Sequence, residues 1–427
     1  MADAAAKKKE DQQINKLRDL VFRKKYLSIS PEGEVVSGNM EHLTRFVIVQ
    51  SIEAPARTEA FVLTYRQFGA TPQEIMRYVE AFFNHKKAEK IKVLHPRVTQ
   101  FLRLWVKVAY YPDFKKAGLL PILLDFLEKQ LQPKYIDGVN QVKLALLKAH
   151  DTYYKTRKKK EEKEDKADKQ RNLLDISATA LAEQLTYKEA SMYRAIQPPE
   201  LLNQNWSSAN KRETAKNVVL MVERSNKVSY WVATEICMCK DLKKRVSALK
   251  RFINVAHKCY EAHNYNTTME ILGGLNNIAV TRLKKTWAEL PERYQLMWDK
   301  ITVIMDTKNN FSEYRNALSQ ATQQNVPVVP FLGVFLRDLT FIEDGNPNKI
   351  GKHANFEKIN LLGSVIREVQ SHQVQEYQLK KQANITKYLR KALVLPEEPE
   401  DTIYELSLQV EPKAAPAGGG GDDNVVV

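Results

Sequence analysis

The chain has 427 residues and a mass of 49.2 kDa, which exceeds the size that one hydrophobic core usually serves, so two domains are expected. Its 3 cysteines are too few for a disulfide framework, and Cys237-x-Cys239 lacks the nearby histidines that would complete a zinc site. The net charge of +15 is compatible with nucleic acid, an anionic membrane or an acidic protein as partner.

The N-terminal sequence MADAAAKKKEDQQ has no apolar core, which predicts that it is not a secretory signal. No stretch approaches the roughly 18 consecutive apolar residues of a membrane-spanning helix. Neither Ala2 nor the C-terminal NVVV offers a lipidation motif. A cytoplasmic protein is therefore expected, in which residues 1–36 form a basic N-terminal extension.

Helical periodicity dominates the region that follows. Thr71-Pro72-Gln73-Glu74 has the form of a capping box with proline at the first helical position, and apolar residues then recur at three- and four-residue spacing from Ile75 to Phe83. Similar stripes run from Val98 to Val108 and from Leu119 to Leu131. Residues 37–150 are therefore expected to form a small helical domain.

A charged segment from Lys155 to Arg171 mixes basic and acidic residues and predicts a charged linker or exposed helix over residues 151–172. The mixture argues against a dedicated nucleic-acid stripe. From Leu173 onward, apolar stripes at helical spacing predict a larger domain over residues 173–412. Strand-like alternation is scarce, so the predicted fold class is all-α. The flexible composition of residues 413–427 predicts a disordered tail.

Motifs for bond chemistry are not recognised in this sequence. It contains no G-x-x-x-x-G-K-[ST] loop, no dinucleotide glycine fingerprint, no H-E-x-x-H and no G-x-S-x-G elbow. His257 and His263 are off the i, i+4 spacing that would place both on one helix face. We therefore expect no cofactor and no metal site, and a function that needs no acid, base or covalent nucleophile from this chain.

The run PFLGVFLRDLTFIEDGNP, from Pro330 to Pro347, carries the most functional information. It is too short to span a bilayer and too apolar all round for an ordinary surface helix, and it turns acidic at Glu343 and Asp344. Two interpretations stand side by side. One is a core helix with a polar end, and the other is a projecting apolar and acidic wedge.

This run belongs to a series of ordered blocks that resembles the catalytic domain of Ras-family guanine nucleotide exchange factors. The blocks cover residues 173–206, 222–236, 248–277, 280–291, 310–318, 330–347 and 404–412. Residues 60–76 and 97–114 are similar to the Ras exchanger motif domain that usually precedes it. The resemblance implies an N-terminal helical domain packed on a larger all-helical catalytic domain with a protruding helical hairpin.

In that family the hairpin lies beside the nucleotide site of a small GTPase and opens one switch segment. The resemblance implies a first hairpin helix over residues 330–344, a turn from Gly345 and a second helix over residues 355–370. By position, Thr340 matches an apolar wedge residue and Asp344 matches a glutamate of some members, so both depart from the family pattern. The implied catalytic wedge comprises Thr340, Phe341, Glu343 and Asp344.

A second surface would grip the other switch segment of the GTPase. Its apolar floor would be formed by Val222, Met269 and Phe331. The remaining GTPase-binding candidates are Glu223, Arg224, Asn226, Ser229, Gly273, Asn276, Asn309, Asn310 and Phe311.

The partner implied by the resemblance is a Ras-like small GTPase of Ras or Rap type, bound preferentially in its nucleotide-free form. Recruitment to the inner face of the plasma membrane would then occur through the GTPase, and no nucleic-acid partner is expected. Two alternatives remain open at this point. One is a catalytically weak GTPase-binding scaffold of the same fold, and the other is a basic helical nucleic-acid binder that rests on net charge alone.

Overall fold

The computed structural model describes residues 2–158, 172–395 and 398–413. These residues form two compact units. The first contains residues 2–158, 194–219 and 332–374, and the second contains residues 172–193, 220–331, 375–395 and 398–413. Most of the predicted charged linker and nearly all of the predicted disordered tail lie outside the described residues. None of the helices described is long and apolar enough to cross a membrane.

Helices dominate the described residues, which confirms the predicted all-α class. The helices of the first half are α1 Ala2–Val21, α2 Met40–Val49, α3 Pro55–Thr64, α4 Pro72–Phe83, α5 Leu94–Ala109, α6 Leu120–Phe126, α7 Ile136–Lys158, α8 Ala178–Tyr193, α9 Lys211–Thr214 and α10 Lys216–Cys237. Those of the second half are α11 Leu242–Glu261, α12 Tyr265–Leu275, α13 Ile278–Thr281, α14 Lys284–Ala288, α15 Glu292–Ile304, α16 Lys308–Gln323, α17 Leu332–Gly345, α18 Phe356–Ser371, α19 Ala383–Ala392 and α20 Pro399–Val410.

Helix α4 begins where the sequence pattern predicts. The Thr71 hydroxyl accepts a hydrogen bond from the Glu74 amide at 3.2 Å, and the Glu74 carboxylate accepts one from the Thr71 amide at 2.8 Å. Pro72 occupies the first turn, where its missing amide hydrogen costs nothing. The capping box is therefore confirmed, and the predicted apolar stripe from Ile75 to Phe83 is the buried face of the helix.

The core of the first unit is rich in aromatic side chains that pack around Trp105, which is fully buried. The buried Asp113 carboxylate accepts hydrogen bonds from the Tyr65 hydroxyl and the Trp105 indole, and it pairs with Arg66. Residues 1–36, predicted to be an extension, contribute several apolar side chains to this core. They are Leu17 and Val21 of α1, together with Leu27 and Val35.

A small antiparallel sheet in the first unit joins segments that are distant in sequence. Its strands are β1 Leu27–Ile29, β2 Val35–Gly38, β3 Lys349–Ile350 and β4 His353–Asn355, in the order β1-β2-β4-β3. Strand β4 leads directly into α18, whose Phe356 packs edge-on against Phe46 with ring centroids 5.5 Å apart. The hairpin of α17 and α18 is thereby attached to the core of this unit.

The second unit has a separate helical core. Helix α11 packs against α8, α12 and α15, and the Trp231 ring of α10 meets Phe252 of α11 edge-on at 5.0 Å between centroids. Helices α10 and α12 approach closely at Gly274, where an added Cβ would lie 2.4 Å from the Ser229 carbonyl oxygen. This close approach fixes the relative position of the two helices that carry most of the predicted GTPase-binding residues.

Candidate functional site

The predicted GTPase-binding residues on α10 and α12 share one packed pair of helices. The Ser229 hydroxyl donates a hydrogen bond to the Glu270 carbonyl oxygen at 2.7 Å. Gly273 lies beside that contact, since a Cβ there would be 3.1 Å from the Ser229 hydroxyl. Val222 is 40% exposed. Asn226 and Asn276 are also exposed, Glu223 and Met269 are half-buried, and all of these groups lie on or directly after this helix pair.

A second group of predicted residues meets at the start of α16. Asn309, Asn310 and Phe311 have φ values of 48°, 58° and 59°, in the left-handed region that residues with side chains rarely adopt. This turn brings the Phe311 ring to 6.1 Å from the ring of Phe331, measured between centroids. The structure therefore places Phe331 next to the α16 turn, as one apolar patch with two asparagines at its edge.

Hydrogen bonds connect this patch to α12. The Phe331 amide donates to the Tyr314 hydroxyl at 2.9 Å, and the Tyr314 ring packs edge-on against Tyr265, the first residue of α12, at 5.4 Å. The Tyr265 amide in turn donates to the Val329 carbonyl oxygen at 2.9 Å. Helices α10, α12 and α16 and the segment before α17 thus form one connected surface in the second unit, which we call the grip surface.

A buried polar cluster lies beneath the grip surface. Arg224 forms an ion pair with Glu189, and their side chains are 12% and 0% exposed. Asn266 donates to Glu189 at 3.2 Å and to Glu270 at 2.7 Å, and the Ser225 hydroxyl donates to Glu270 at 2.6 Å. Burial, followed by repulsion from Glu189, raises the pKa of Glu270 well above its usual range. Arg224, a predicted contact residue, is therefore engaged within the protein.

Two predicted wedge residues, Thr340 and Phe341, lie in the last two turns of α17. The Phe341 ring is 63% exposed and lies 5.5 Å below the Arg337 guanidinium. The hydroxyl of the half-buried Thr340 donates to the Leu336 carbonyl oxygen at 2.9 Å, within its own helix. Because that hydroxyl already has an acceptor, the methyl group is the part of Thr340 that remains for apolar contact.

The Glu343 carboxylate is enclosed by groups of the first unit. It pairs with Lys358 at 2.7 Å, and it accepts hydrogen bonds from the Gln67 side chain at 2.8 Å and the Asn203 amide at 3.2 Å. The Glu343 and Lys358 side chains are 9% and 3% exposed. Lys358 also donates to the carbonyl oxygens of Glu343 and Asn346, so it caps the end of α17. Glu343 is thus an internal anchor of the hairpin.

Asp344, the next residue, has the opposite environment. It is exposed, and its carboxylate accepts a hydrogen bond from the Gln204 side chain at 2.9 Å. At the end of α17, the Asp344 carboxylate therefore faces solvent, and the Glu343 carboxylate faces the protein interior.

Comparison with known proteins identifies the family. A RasGEF domain model matches residues 180–360, which include the grip surface, α17 and the start of α18. Ras guanine nucleotide exchange factor M of Dictyostelium discoideum is 38% identical over 250 residues, or 58% of this chain and 26% of that protein. The chain contains a RasGEF domain.

Two further relatives match a larger part of this RasGEF chain. Ras guanine nucleotide exchange factor A of Dictyostelium discoideum is 34% identical over 385 residues, or 84% of this chain and 62% of that protein. Ras-specific guanine nucleotide-releasing factor 2 of Mus musculus is 33% identical over 325 residues, or 74% of this chain and 27% of that protein. The chain thus spans between about a quarter and 62% of the length of these relatives.

Several residues that shape the α17 terminus were missed by the sequence analysis. Gln67, Asn203, Gln204 and Lys358 surround Glu343 and Asp344 but lie far from them in the chain or outside the hairpin run. Single polar residues of this kind have no spacing that would identify them. Asn203 and Gln204, two successive residues with side-chain amides, were the one hint of this tight turn in the sequence, because asparagine tolerates the left-handed backbone that such turns require.

Proposed function

We propose that this RasGEF chain binds a Ras-like small GTPase of Ras or Rap type, opens its nucleotide site and promotes GDP release so that GTP can load. The observation that carries this proposal is the hairpin end, where an exposed Phe341 stands next to the exposed acid Asp344 within the matched domain. The relatives named above are Ras exchange or nucleotide-releasing factors, which supports the same activity.

The activity requires a binding preference and no bond chemistry. A protein that binds the empty GTPase more tightly than the GDP-bound form must weaken GDP binding by the same factor, because the linkage is reciprocal. Each tenfold change corresponds to about 1.4 kcal/mol of differential binding. The chain therefore acts as an exchange catalyst without an acid, base or nucleophile, and it prefers the nucleotide-free partner.

Within this proposal the wedge residues have different roles. Phe341 and the Thr340 methyl group supply apolar contact beside the magnesium site of the GTPase. Asp344 supplies the carboxylate that engages the lysine or hydroxyl groups that otherwise hold phosphate and metal. Glu343 acts from inside, because its hydrogen bonds and its ion pair with Lys358 hold the end of α17 in place.

The grip surface and the N-terminal region complete the proposal. The exposed Val222, Asn226 and Asn276, with the Phe311–Phe331 patch, hold the second switch segment. Residues 37–150 act as a Ras exchanger motif domain that supports the hairpin, and residues 173–412 act as the catalytic domain. Association with the inner face of the plasma membrane occurs through the GTPase.

Release of fluorescent GDP from a panel of Ras- and Rap-type GTPases tests this function. Phe331→Ala removes the ring that packs on Phe311, and loss of such an interface anchor should slow exchange about 30-fold, equivalent to about 2 kcal/mol. Asp344→Ala should slow GDP release while weakening GTPase binding less than Phe331→Ala does. Val394→Ala, which truncates a 73% exposed apolar side chain outside both surfaces, is the matched control.

The scaffold alternative predicts a different result. Aspartate is shorter than glutamate, and the neighbouring glutamate is already engaged by Lys358, so a weak wedge would bind a GTPase without releasing its nucleotide. Binding by the wild-type chain with GDP release at the intrinsic rate on every panel member would replace the exchange proposal with the scaffold. Wild-type exchange that neither Phe331→Ala nor Asp344→Ala reduces would refute the assignment of these surfaces.

A further inference from the structure

The loop that faces the acidic end of α17 has an unusual backbone. Asn203 and Gln204 follow a 3₁₀ turn, Pro198–Leu201, and have φ values of 52° and 49°. A left-handed conformation costs a non-glycine residue roughly 1 kcal/mol or more, and glutamine lacks the local hydrogen bonding that helps asparagine to adopt it. Two such residues in succession persist only where the surrounding contacts hold them.

Contacts within the loop hold this conformation. The Asn205 side chain donates to the Pro199 carbonyl oxygen at 3.0 Å, and the Ser207 hydroxyl and amide both donate to the Gln204 carbonyl oxygen at 2.9 Å. The Ser208 hydroxyl donates to the Asn205 carbonyl oxygen at 2.8 Å. The turn is thus a defined structure rather than an open connection.

The turn directs two consecutive donors at two consecutive acids. The backbone N–H of Asn203 donates to the Glu343 carboxylate at 3.2 Å, and the side-chain amide of Gln204 donates to the Asp344 carboxylate at 2.9 Å. Glu343 is also held by Lys358 and Gln67. Asp344 is exposed, so the Gln204 amide fixes a carboxylate that could otherwise rotate freely in solvent.

The chemistry of the donor matters. A lysine or arginine at this position would neutralise Asp344, whereas an amide donates a hydrogen bond and leaves the negative charge intact. The second carboxylate oxygen and the full charge then stay available to a cation or hydroxyl of the partner. Gln204 and Asp344 both line a polar groove of about 490 Å³.

We propose that Gln204 is a positioning residue for nucleotide exchange, which orients the Asp344 carboxylate at the end of the hairpin for contact with the GTPase. This inference rests on the exchange function proposed above. A preoriented carboxylate loses less rotational freedom when it engages the GTPase. Its orientation should therefore raise the rate of GDP release and leave the initial binding of the GTPase to the grip surface unchanged.

Exchange kinetics on a responsive GTPase test this role. Gln204→Ala and Gln204→Gly should each lower the maximal release rate by about three- to tenfold, the range expected for the net contribution of one ordinary hydrogen bond, with the half-saturating GTPase concentration unchanged. Glycine relieves the left-handed backbone and alanine does not, so equal losses assign the effect to the missing amide. Gln132→Ala, which removes an exposed glutamine amide at a position outside both the loop and the hairpin, should retain the wild-type rate.

A double-mutant comparison decides whether Gln204 acts through Asp344. In an Asp344→Ala background, Gln204→Ala should produce no further loss, because the group it orients is absent. A full additional loss in that background, or wild-type rates for both Gln204 variants, would overturn the inference.

Deuterium uptake of the free protein separates this inference from the exchange proposal. Gln204→Ala should speed uptake at residues 342–348 relative to Gln132→Ala, whether or not any GTPase responds. If the wild-type chain releases GDP from no GTPase while this difference is present, the exchange proposal fails and Gln204 still holds the helix end. Equal uptake in the two variants refutes the positioning role itself.

Discussion

Two buried glutamates in the second unit share a single arginine. Glu189 pairs with Arg224, while Glu270 accepts hydrogen bonds from Ser225 and Asn266 and has no cation of its own among the contacts described. Cys259 interacts electrostatically with both carboxylates, and burial raises the pKa of its thiol, so this neutral group adds neither a positive nor a further negative charge. Burying two carboxylates beside one cation is costly, and a neutral Glu270 avoids that cost.

The variant Glu270→Gln tests whether Glu270 is protonated, and therefore neutral, in the folded protein. The folded pKa of Glu270 lies above its unfolded value, so between the two the folded state holds a proton that the unfolded state has lost. The free energy of unfolding of the wild type should therefore fall with rising pH, by up to about 1.4 kcal/mol per pH unit above pH ~4.3. Glutamine lacks this dependence, so urea unfolding from pH 5 to 8 should show its relative stability increasing with pH.

Removing one negative charge also has a general effect, and Glu405→Gln measures it. Glu405 lies on α20 and is exposed. If Glu270→Gln and Glu405→Gln change stability by the same amount at every pH, Glu270 is charged in the folded protein. A stability gain that grows with pH for Glu270→Gln alone supports the neutral acid beneath the grip surface.

At the scale of elements, glycine sets the distance between hairpin and core. Gly363 of α18 lies against α3, where an added Cβ would stand 2.3 Å from the Ala60 Cβ and 2.4 Å from its Cα. These distances are far below van der Waals contact, and the opposing atoms are backbone or a methyl group that cannot rotate away. The second hairpin helix can therefore lie this close to α3 only with glycine at position 363.

Gly363→Ala should destabilise the first unit and displace the hairpin. Overpacking of this kind costs roughly 1 to 3 kcal/mol, whereas the higher helix propensity of alanine returns at most about 1 kcal/mol. Thermal unfolding should show the net loss, and Ala60→Gly in the same chain should restore part of it. Ser364→Ala, at the adjacent exposed position, is the control for propensity. A Gly363→Ala protein as stable as the Ser364→Ala protein would contradict the packing argument.

Long amphipathic helices could be predicted from sequence because each carries its own periodic signal. The capping box and apolar face of α4 and the apolar stripe of α5 agree with the structure. The strands β1 to β4 have between two and four residues each, too few to display alternation. The left-handed turn from Asn309 to Phe311 was also missed, because it is too short to show a periodic pattern and phenylalanine is not a residue type that indicates positive φ.

At the scale of the whole molecule, the missed features are contacts between segments distant in sequence. The run from Pro330 to Pro347 was correctly recognised as part of a RasGEF domain, but the roles of its two acids depend on Gln67, Gln204 and Lys358. The division of the chain into an N-terminal region that ends at residue 172 and a catalytic domain that begins at residue 173 stays a prediction. The compact units group residues 332–374 with residues 2–158, because strand pairing and helix packing connect them.

This grouping predicts how a shortened chain behaves. A chain of residues 173–413 keeps the whole of α17 and α18 but lacks β2, which pairs with β4, and α3, which packs on Gly363. Phe356 and Ile359, buried in the full chain, would lose their apolar partners from the first unit. Local opening of the hairpin should therefore become easier, while α11 and α12 of the second unit keep their own core.

Deuterium uptake measures the two parts separately. Amides of α18 should exchange at least about tenfold faster in the shortened chain than in the full chain, since opening no longer disrupts a packed core. Amides of α11, whose neighbours α8, α12 and α15 are all retained, serve as the internal control and should keep their rates. Equal protection of α18 in both chains would mean that the hairpin is stable without the N-terminal region. Faster exchange throughout α11 and α18 alike would mean instead that the second unit depends on the first for its fold.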